Sequence, residues 1–234
     1  MNSAPASTAS SGAGTAVNAT PARTVLLAGA SGLVGREILR GLLADESVGA
    51  VHTLGRRDLA LQHPRLTQHR IDFKALPALP RLDEAFIALG TTIKVAGSQE
   101  AFRAIDFDAV LTVAQAAKAA GATRLGVVSA MGANARSSVF YNRVKGEVEE
   151  ALSALGFDTL VFARPSLLVG DRAALGQPVR SGEEMGEKVA HWLGPLIPAN
   201  YRPIDVKPVA RALLKAVPET KGRRIILSGE LQKF

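Results

Sequence analysis

The chain has 234 residues, of which 47% are hydrophobic and 21% charged, as in an ordinary globular protein. This composition excludes a wholly disordered chain and a fibrous repeat, and the length suits one large domain. The lack of cysteine excludes disulfides, thiolate metal sites and a cysteine nucleophile, and it suits a reducing compartment. No stretch approaches the roughly 18 uninterrupted apolar residues of a membrane-spanning helix. We therefore expect a cytoplasmic protein that does not bind membranes.

The net charge is +7, from 28 basic and 21 acidic residues. A positive net charge of this size is typical of proteins that bind nucleic acids. However, aromatic residues make up only 5% of the chain, and no basic run contains aromatic side chains that could stack on bases. We expect a solvated basic surface and no specific nucleic-acid site, with part of the charge serving an anionic cofactor.

Residues 1–22 are nearly all Ala, Ser, Thr, Gly, Pro and Asn, without a charged side chain. Such a segment cannot form a core. It lacks the basic start and apolar stretch of a secretory signal and the arginines of a mitochondrial transit peptide. The sequence predicts a disordered tail over 1–22 and a folded domain over 23–234.

From residue 23 onward, short apolar runs alternate with longer stretches of helical periodicity. Strands are predicted at 24–28, 51–55, 71–73, 85–89, 124–129, 159–163 and 224–227, and helices at 33–43, 102–120, 140–155 and 206–216. This alternation indicates an α/β fold, a Rossmann-like doubly wound parallel sheet with helices on both faces. Glycine and proline recur between 166 and 204, where we predict a small, mostly helical C-terminal lobe that covers a substrate.

The segment between the first strand and the first helix reads GASGLVG, with glycines at Gly29, Gly32 and Gly35. Glycines at this spacing close the turn, let the backbone approach a pyrophosphate and let the helix pack on the strand, while the helix N-terminus offers free N–H groups. We predict a dinucleotide site here. The alternative is an ordinary glycine-rich turn.

The residues after the second strand indicate which dinucleotide binds. NAD-binding chains place an acidic residue at this point to bind the ribose hydroxyls, whereas this chain has Arg56 and Arg57. Two guanidinium groups can bind a 2′-phosphate that a carboxylate would repel, so we predict NADP(H). Two alternatives stay open. Asp58 could bind the ribose if the strand is longer, or the arginines could be merely solvated.

Tyr141 and Lys145 lie four residues apart in a predicted helix and so share one face. A free tyrosine loses its proton near pH 10, and a neighbouring ammonium favours the phenolate form, so the pair suits proton transfer. The preceding strand ends in Ser129, whose hydroxyl could donate a hydrogen bond to a substrate carbonyl. We predict Ser129, Tyr141 and Lys145 as catalytic residues. The alternative is that Ser129 only ends a strand and Tyr141 only packs on the sheet.

The remaining candidate residues indicate no further chemistry. No histidine pair has the spacing of metal ligands, so no metal site is predicted. His63 and His69 are interpreted as solvated loop residues. Glu147, Glu149 and Glu150 are interpreted as the solvated face of the helix that carries Tyr141.

Taken together, the glycine loop, Ser129 and the Tyr141/Lys145 pair resemble the short-chain dehydrogenase/reductase superfamily. Two further segments, LGTT at 89–92 and FYNRVKGEV at 140–148, are similar to its atypical branch, which contains the human Tat-interacting metastasis suppressor and its bacterial relatives. The likeness runs from residue 23 to about residue 216. It implies a Rossmann-type domain that binds NADPH.

The resemblance also implies a role for each matching residue. Tyr141 would be the acid and base, and Lys145 would hold the nicotinamide ribose and favour the phenolate. At one position the chain departs from the family, because Asp106 stands where many members have an asparagine that supports a proton relay. The implied cofactor-binding residues are Ser31, Gly32, Leu33, Val34 and Gly35 at the diphosphate, Arg56 and Arg57 at the 2′-phosphate, Leu89 and Gly90 beside the adenine ribose or diphosphate, and Leu168 near the nicotinamide.

The sequence therefore predicts an NADPH-dependent oxidoreductase that acts on a small carbonyl or sugar-like substrate. Two alternatives share the same residues. One is an NADPH-binding regulatory or redox-sensing protein without turnover, and the other is a nucleotide-sugar epimerase or dehydratase. The sequence leaves open whether the chain is a monomer or a homodimer.

Overall fold

The computed structural model describes residues 22–73, 75–169 and 198–234. A seven-stranded, wholly parallel sheet forms its centre, in the strand order β3-β2-β1-β4-β5-β6-β9. The predicted tail and residues 170–197 of the predicted lobe lie outside the described residues. The strands of the sheet are β1 (Arg23–Ala28), β2 (Val48–Gly55), β3 (Leu66–Arg70), β4 (Glu84–Ile87), β5 (Arg124–Val128), β6 (Thr159–Arg164) and β9 (Gly222–Leu227).

Helices cover both faces of the sheet, and each face has its own apolar core. The first core packs α1 and α6 against the sheet, and the second packs α4 and α5 against the other face. This arrangement confirms the predicted Rossmann-like fold. The helices are α1 (Leu33–Ala44), α2 (Ile93–Ala96), α3 (Gln99–Arg103), α4 (Val110–Ala119), α5 (Phe140–Ser153), α6 (Val206–Glu219) and α7 (Ser228–Leu231), with a π-helical turn at Ala104–Ala109 and a 3-10 turn at Ala199–Tyr201.

The strand order reverses beside β1, which pairs with β2 on one side and with β4 on the other. The following helices therefore leave to opposite faces, and a crevice opens at the carboxyl ends of these strands. The residues after β1, β2 and β4 meet there. A separate two-stranded parallel sheet joins β7 (Leu168–Val169) to β8 (Ile204–Asp205), at the two described ends of the predicted lobe.

Two predicted elements differ from the observed ones. The third strand covers Leu66–Arg70, not 71–73, and its sequence LTQHR is polar because β3 is an edge strand with partly exposed side chains. The long helix predicted at 102–120 is instead α3, the π-helical turn and α4 in succession, because the backbone widens over residues 104–109.

At the amino edge of the sheet, Glu84 is a fully buried carboxylate. Arg23, which begins β1, donates to both of its oxygens at 2.7 and 2.8 Å. Arg124, which begins β5, donates to Oε1 at 2.6 Å. The two arginines compensate the charge of Glu84 and tie together three adjacent strands.

Candidate functional site

A cleft of about 480 Å³ opens at the carboxyl edge of the sheet. Its walls come from the segments that follow β1, β2, β3 and β4 and from the π-helical turn with the start of α4. Most of the predicted cofactor-binding residues line it. They are Gly29, Ser31, Gly32, Arg56, Arg57, Leu89 and Gly90.

The floor of the cleft is the loop between β1 and α1, where two positions admit only glycine. Gly29 has a φ of +89°, and a Cβ built there would lie 2.5 Å from the carbonyl oxygen of Ala88. A Cβ at Gly35 would overlap the carbonyl oxygen of Gly29. The first strand, the fourth strand and α1 therefore meet backbone to backbone, and α1 begins after Gly32 without a side-chain cap.

Six other predicted cofactor residues do not line the cleft, namely Leu33, Val34, Gly35, Tyr141, Lys145 and Leu168. Val34 and Gly35 are buried in the first turn of α1, where they hold the helix against the sheet. Leu168 lies half-buried in β7, beside the range that is not described. Their predicted contacts with a cofactor stay predictions.

Arg56 and Arg57 follow β2 at one end of the cleft, and both are exposed. Within the described part of the chain, no acidic side chain forms an ion pair with either one. Asp58 is also exposed, and with Ser31 and Arg57 it lines a small depression that adjoins the cleft. The two guanidinium groups are thus available to an anion, as the sequence predicts for a 2′-phosphate.

Tyr141 and Lys145 lie one turn apart near the start of α5. The ring of Tyr141 packs against Phe102 of α3, with 5.3 Å between the ring centroids. The side chain of Lys145 is only 5% exposed, and its Nζ lies 2.7 Å from Oδ1 of Asp106. Gly90 lines the cleft, and a Cβ built there would lie 3.8 Å from the same Nζ, so Lys145 lies behind the cleft wall at Gly90.

Several charges act on Lys145. Burial lowers the pKa of its amino group, but the carboxylate of Asp106 raises it, with smaller contributions in the same direction from Tyr141 and Glu149. The net effect places the pKa of Lys145 above its ordinary value. Lys145 is therefore an ammonium ion at neutral pH, the form that stabilises a phenolate beside it.

Ser129 follows β5, and its hydroxyl donates to Oε1 of Glu149 at 2.5 Å. The carboxylate of Glu149 also accepts from Arg164, at 2.9 and 2.6 Å. In this arrangement the hydroxyl of Ser129 donates its hydrogen bond to Glu149. It can donate to a substrate only after that hydrogen bond breaks. The catalytic role of Ser129 stays a prediction.

Glu149 lies in a different environment from the one predicted. We expected a solvated carboxylate, but Glu149 is 1% exposed. The prediction was wrong because this side of α5 faces the carboxyl ends of β5 and β6, where Arg164 supplies the compensating charge.

The predicted position of His69 was also wrong. It lies in β3 and not in a loop, because β3 begins earlier in the chain than predicted. Its ring stacks on His52, and Nδ1 of His52 lies 3.0 Å from Nε2 of His69. Burial and the neighbouring His69 lower the pKa of His52.

Some residues of the cleft were not recognised from the sequence. Asp72 and Phe73 line it because they follow the observed end of β3, whereas we predicted them inside a strand. Ile105 and Thr112 line it from the π-helical turn and α4. A correct position for β3 would have revealed the first two, since residues that follow parallel strands gather at this edge.

The described ranges contain no group of three His, Cys, Asp or Glu side chains that could hold a metal ion. Over the same residues, no helix has the length and hydropathy needed to cross a bilayer.

Comparison with known proteins identifies close relatives. No model of a protein family matches the chain. The chain is 35% identical over 199 residues to Protein HTATIP2 of Rattus norvegicus, which covers 82% of this chain and 80% of that protein. It is 31% identical over 221 residues to the mitochondrial Protein FMP52 of Candida albicans, which covers 88% of this chain and 95% of that protein.

Solved structures share the fold at lower identity. An oxidoreductase of the short-chain dehydrogenase/reductase family from Burkholderia thailandensis superposes with a TM-score of 0.66 at 19% identity, over 91% of this chain and 94% of that one. MoeE5, solved in complex with UDP-glucose and NAD, superposes with a TM-score of 0.65 at 18% identity, over 87% and 75% of the two chains.

The relatives overturn one expectation. We expected a cytoplasmic protein, but FMP52 of Candida albicans and that of Emericella nidulans are named as mitochondrial proteins. The expectation was wrong because it rested on the absence of cysteine and of a recognisable leader, and neither observation identifies a compartment.

The identity to HTATIP2 and FMP52 exceeds 30% and extends over most of each chain. This protein belongs to the family of HTATIP2 and FMP52, and it has the Rossmann-like fold found in short-chain dehydrogenases/reductases.

Proposed function

We propose that this protein is an NADPH-dependent oxidoreductase that reduces a small carbonyl or sugar-like substrate. One observation carries the proposal. One cleft is lined by two exposed arginines and by Gly90, and the Lys145 ammonium lies directly behind Gly90. Anion-binding groups and a proton-transfer pair are thus held by the same rigid sheet edge.

The residues present fit a dinucleotide. The cleft volume of about 480 Å³ lies within the roughly 300–1,000 Å³ of ligand sites. Side chains are excluded at Gly29 and Gly35, so a diphosphate can approach the backbone at the start of α1, where the N–H groups and the helix dipole favour an anion. We assign the diphosphate to this loop and the nicotinamide ribose to Lys145.

The preference for a phosphorylated cofactor is assigned to Arg56 and Arg57. Both guanidinium groups are exposed at the cleft and lack an ion-pair partner among the described residues, so a phosphate would gain charge-assisted hydrogen bonds without displacing a carboxylate. MoeE5 was solved with NAD bound, which agrees with a dinucleotide here and leaves the phosphate to be tested.

The cofactor would supply the hydride for carbonyl reduction. In our proposal the hydroxyl of Tyr141 gives its proton to the carbonyl oxygen of the substrate. Lys145 remains an ammonium ion throughout and stabilises the phenolate that Tyr141 becomes. Phe102 packs against the tyrosine ring and limits its orientation.

Thermal unfolding with NADPH, NADP, NADH and NAD tests the binding part of the proposal. A ligand at 100 times its dissociation constant stabilises the folded protein by about 2.7 kcal/mol. We expect only the phosphorylated cofactors to raise the melting temperature strongly, and we expect Arg56→Ala/Arg57→Ala to abolish this preference. Arg211→Ala, a charge removal on the exposed side of α6, is the matched control. The absence of any shift would contradict dinucleotide binding.

Oxidation of NADPH in the presence of a panel of aldehydes, ketones and keto sugars tests the catalytic part. We expect turnover of at least one carbonyl by the wild type and its loss in Tyr141→Phe. A protein that binds NADPH but reduces no carbonyl would overturn the catalytic part and leave a cofactor-binding protein.

A further inference from the structure

The buried ion pair between Asp106 and Lys145 has a consequence for catalysis. We propose that Asp106 is a positioning residue, which keeps Lys145 in its ammonium form and holds it against the cleft wall beside Tyr141. The role of Asp106 in catalysis rests on the proposed function, whereas the ion pair itself is a property of the protein without cofactor.

Burial makes the two side chains dependent on each other. Asp106 is fully buried and the side chain of Lys145 is 5% exposed, so water cannot solvate either charge. An isolated buried charge is costly enough that the group neutralises. Removal of one partner of such a pair leaves the other charge uncompensated.

The backbone fixes the orientation of Asp106. Its Oδ2 accepts a hydrogen bond of 2.9 Å from the N–H of Thr91, the residue that follows Gly90. Its Oδ1 is then left for the ammonium of Lys145 at 2.7 Å. Each carboxylate oxygen thus has its own cationic or N–H partner, and the π-helical turn supplies the backbone that carries Asp106.

This arrangement requires a carboxylate. An asparagine has one acceptor oxygen where aspartate has two. Thr91 and Lys145 contact different oxygens of Asp106, so an asparagine in the same orientation could accept from one of them, and its NH₂ group would face the other donor. The structure therefore gives a physical reason for aspartate at position 106.

The pair lies directly behind the cleft. A Cβ at Gly90 would stand 3.4 Å from Oδ1 of Asp106 and 3.8 Å from Nζ of Lys145. Neither side chain lines the cleft itself. In our proposal Asp106 acts on a bound molecule through Lys145, which is why we describe it as a positioning residue.

The other charges near Lys145 cannot replace Asp106. Glu149, one turn further along α5, is already bound by Arg164 and Ser129. Glu147 is paired with Arg103 and lies near Arg143. Tyr141 is the remaining titratable group that acts on Lys145, and it is neutral when protonated.

Lysine titration by NMR tests the proposal in the cofactor-free protein. The full chain is labelled with ¹³C-lysine, the ε-CH₂ signal of Lys145 is assigned by its absence in Lys145→Arg, and its shift is followed from pH 6 to pH 11. We expect the Lys145 signal of the wild type to keep its ammonium position beyond the range in which surface lysines titrate. In Asp106→Asn we expect the midpoint to fall by about one pH unit or more, because burial then dominates. Glu150→Gln, an exposed charge removal on α5, is expected to leave it unchanged.

Two outcomes would overturn the proposal. One is a folded Asp106→Asn protein in which the titration midpoint of Lys145 is the same as in the wild type. The other is a wild-type protein in which Lys145 titrates at a lower pH than the surface lysines. Neither result depends on cofactor binding, so a failure of the proposed function and a failure of this inference are distinguishable.

The catalytic consequence has its own signature. In Asp106→Asn, kcat for carbonyl reduction is expected to fall as the pH rises through the lowered titration midpoint of Lys145, and to recover at lower pH. The wild-type kcat is expected to stay constant over the same pH range. A merely structural role would reduce kcat by the same factor at every pH, and that result would contradict the positioning role.

Discussion

The opposite edges of the sheet each hold a fully buried carboxylate, Glu84 at the amino edge and Asp106 beside the carboxyl edge. Glu84 is compensated by two arginines that begin neighbouring strands, and no residue of this cluster lines the cleft. Asp106 is compensated by Lys145, and both side chains lie directly behind the cleft wall at Gly90. Equal burial therefore has different meanings, and the position of the cationic partner separates a structural carboxylate from one that acts on a site.

The largest effect is expected at the carboxyl edge, from Tyr141→Phe. Loss of the hydroxyl removes the proposed proton donor, so carbonyl reduction should fall by roughly 10²–10⁴-fold. The melting-temperature shift with NADPH should remain, because the ring still packs against Phe102. Steady-state kinetics and thermal unfolding measure the two effects, and unchanged turnover would remove Tyr141 from the mechanism.

The amino edge should respond in stability alone. Glu84→Gln removes the carboxylate that Arg23 and Arg124 share, while Arg23 keeps Asp45, and the loss of hydrogen bonds to a charged group costs about 1.5–3 kcal/mol of unfolding free energy. Urea denaturation measures the loss, and the NADPH affinity of the folded protein should not change. Glu46→Gln, an exposed neutralisation before β2, is the control. A loss of cofactor affinity in Glu84→Gln would contradict the contrast between the edges.

Cofactor preference should depend on the carboxyl edge alone. Arg56→Ala/Arg57→Ala removes the charged donors assigned to the 2′-phosphate. Hydrogen bonds to a charged group contribute about 1.5–3 kcal/mol, so the binding free energy of NADPH should fall by about that amount. We expect NADPH to bind about 10–100-fold more weakly and NADH affinity to stay the same, as measured by isothermal titration. An equal loss for both cofactors would assign the arginines to the diphosphate instead.

A smaller effect is expected from Ser129→Ala. The substitution removes one donor to Glu149 and leaves Arg164 in place, so the unfolding free energy should fall by about 1 kcal/mol. Turnover should fall less than in Tyr141→Phe, since the hydroxyl of Ser129 donates its hydrogen bond to Glu149 and not to the substrate. A loss of turnover as large as that of Tyr141→Phe would establish Ser129 as a catalytic residue.

The smallest effect concerns His52, away from both carboxylates. Its pKa is lowered in the folded protein, so the unfolded chain binds more protons below about pH 6.5 and acid lowers the stability. His52→Gln should make the melting temperature less dependent on pH between 7 and 5. A melting temperature that depends more steeply on pH in the variant would contradict a lowered pKa of His52.

Most of the fold could be predicted because buried strands and amphipathic helices have clear hydrophobic periods. The strand β3 could not be placed, since LTQHR is an edge strand whose polar residues do not alternate with apolar ones. The π-helical turn at 104–109 was equally hidden, because its widening depends on tertiary contacts and not on a helix-breaking residue.

The candidate site was predictable where chemistry follows from local spacing. Gly29, Gly32, Arg56 and Arg57 line the cleft, and their binding of a cofactor stays a prediction. Ion pairs between distant segments were not predictable, because Asp106 and Lys145 meet only when the π-helical turn packs against α5. The burial of Glu149 was missed for the same reason, since Arg164 follows it by 15 residues and belongs to a different element.

The close backbone approach at Gly29 and Gly35 limits how this protein can evolve. Because any side chain at Gly35 would overlap the Gly29 carbonyl, substitutions at these two glycines should yield almost only inactive or unfolded variants. The exposed segment at Arg56 and Arg57 has no such restriction. Natural or laboratory selection for another nucleotide should therefore act on the residues after the second strand and retain Gly29 and Gly35.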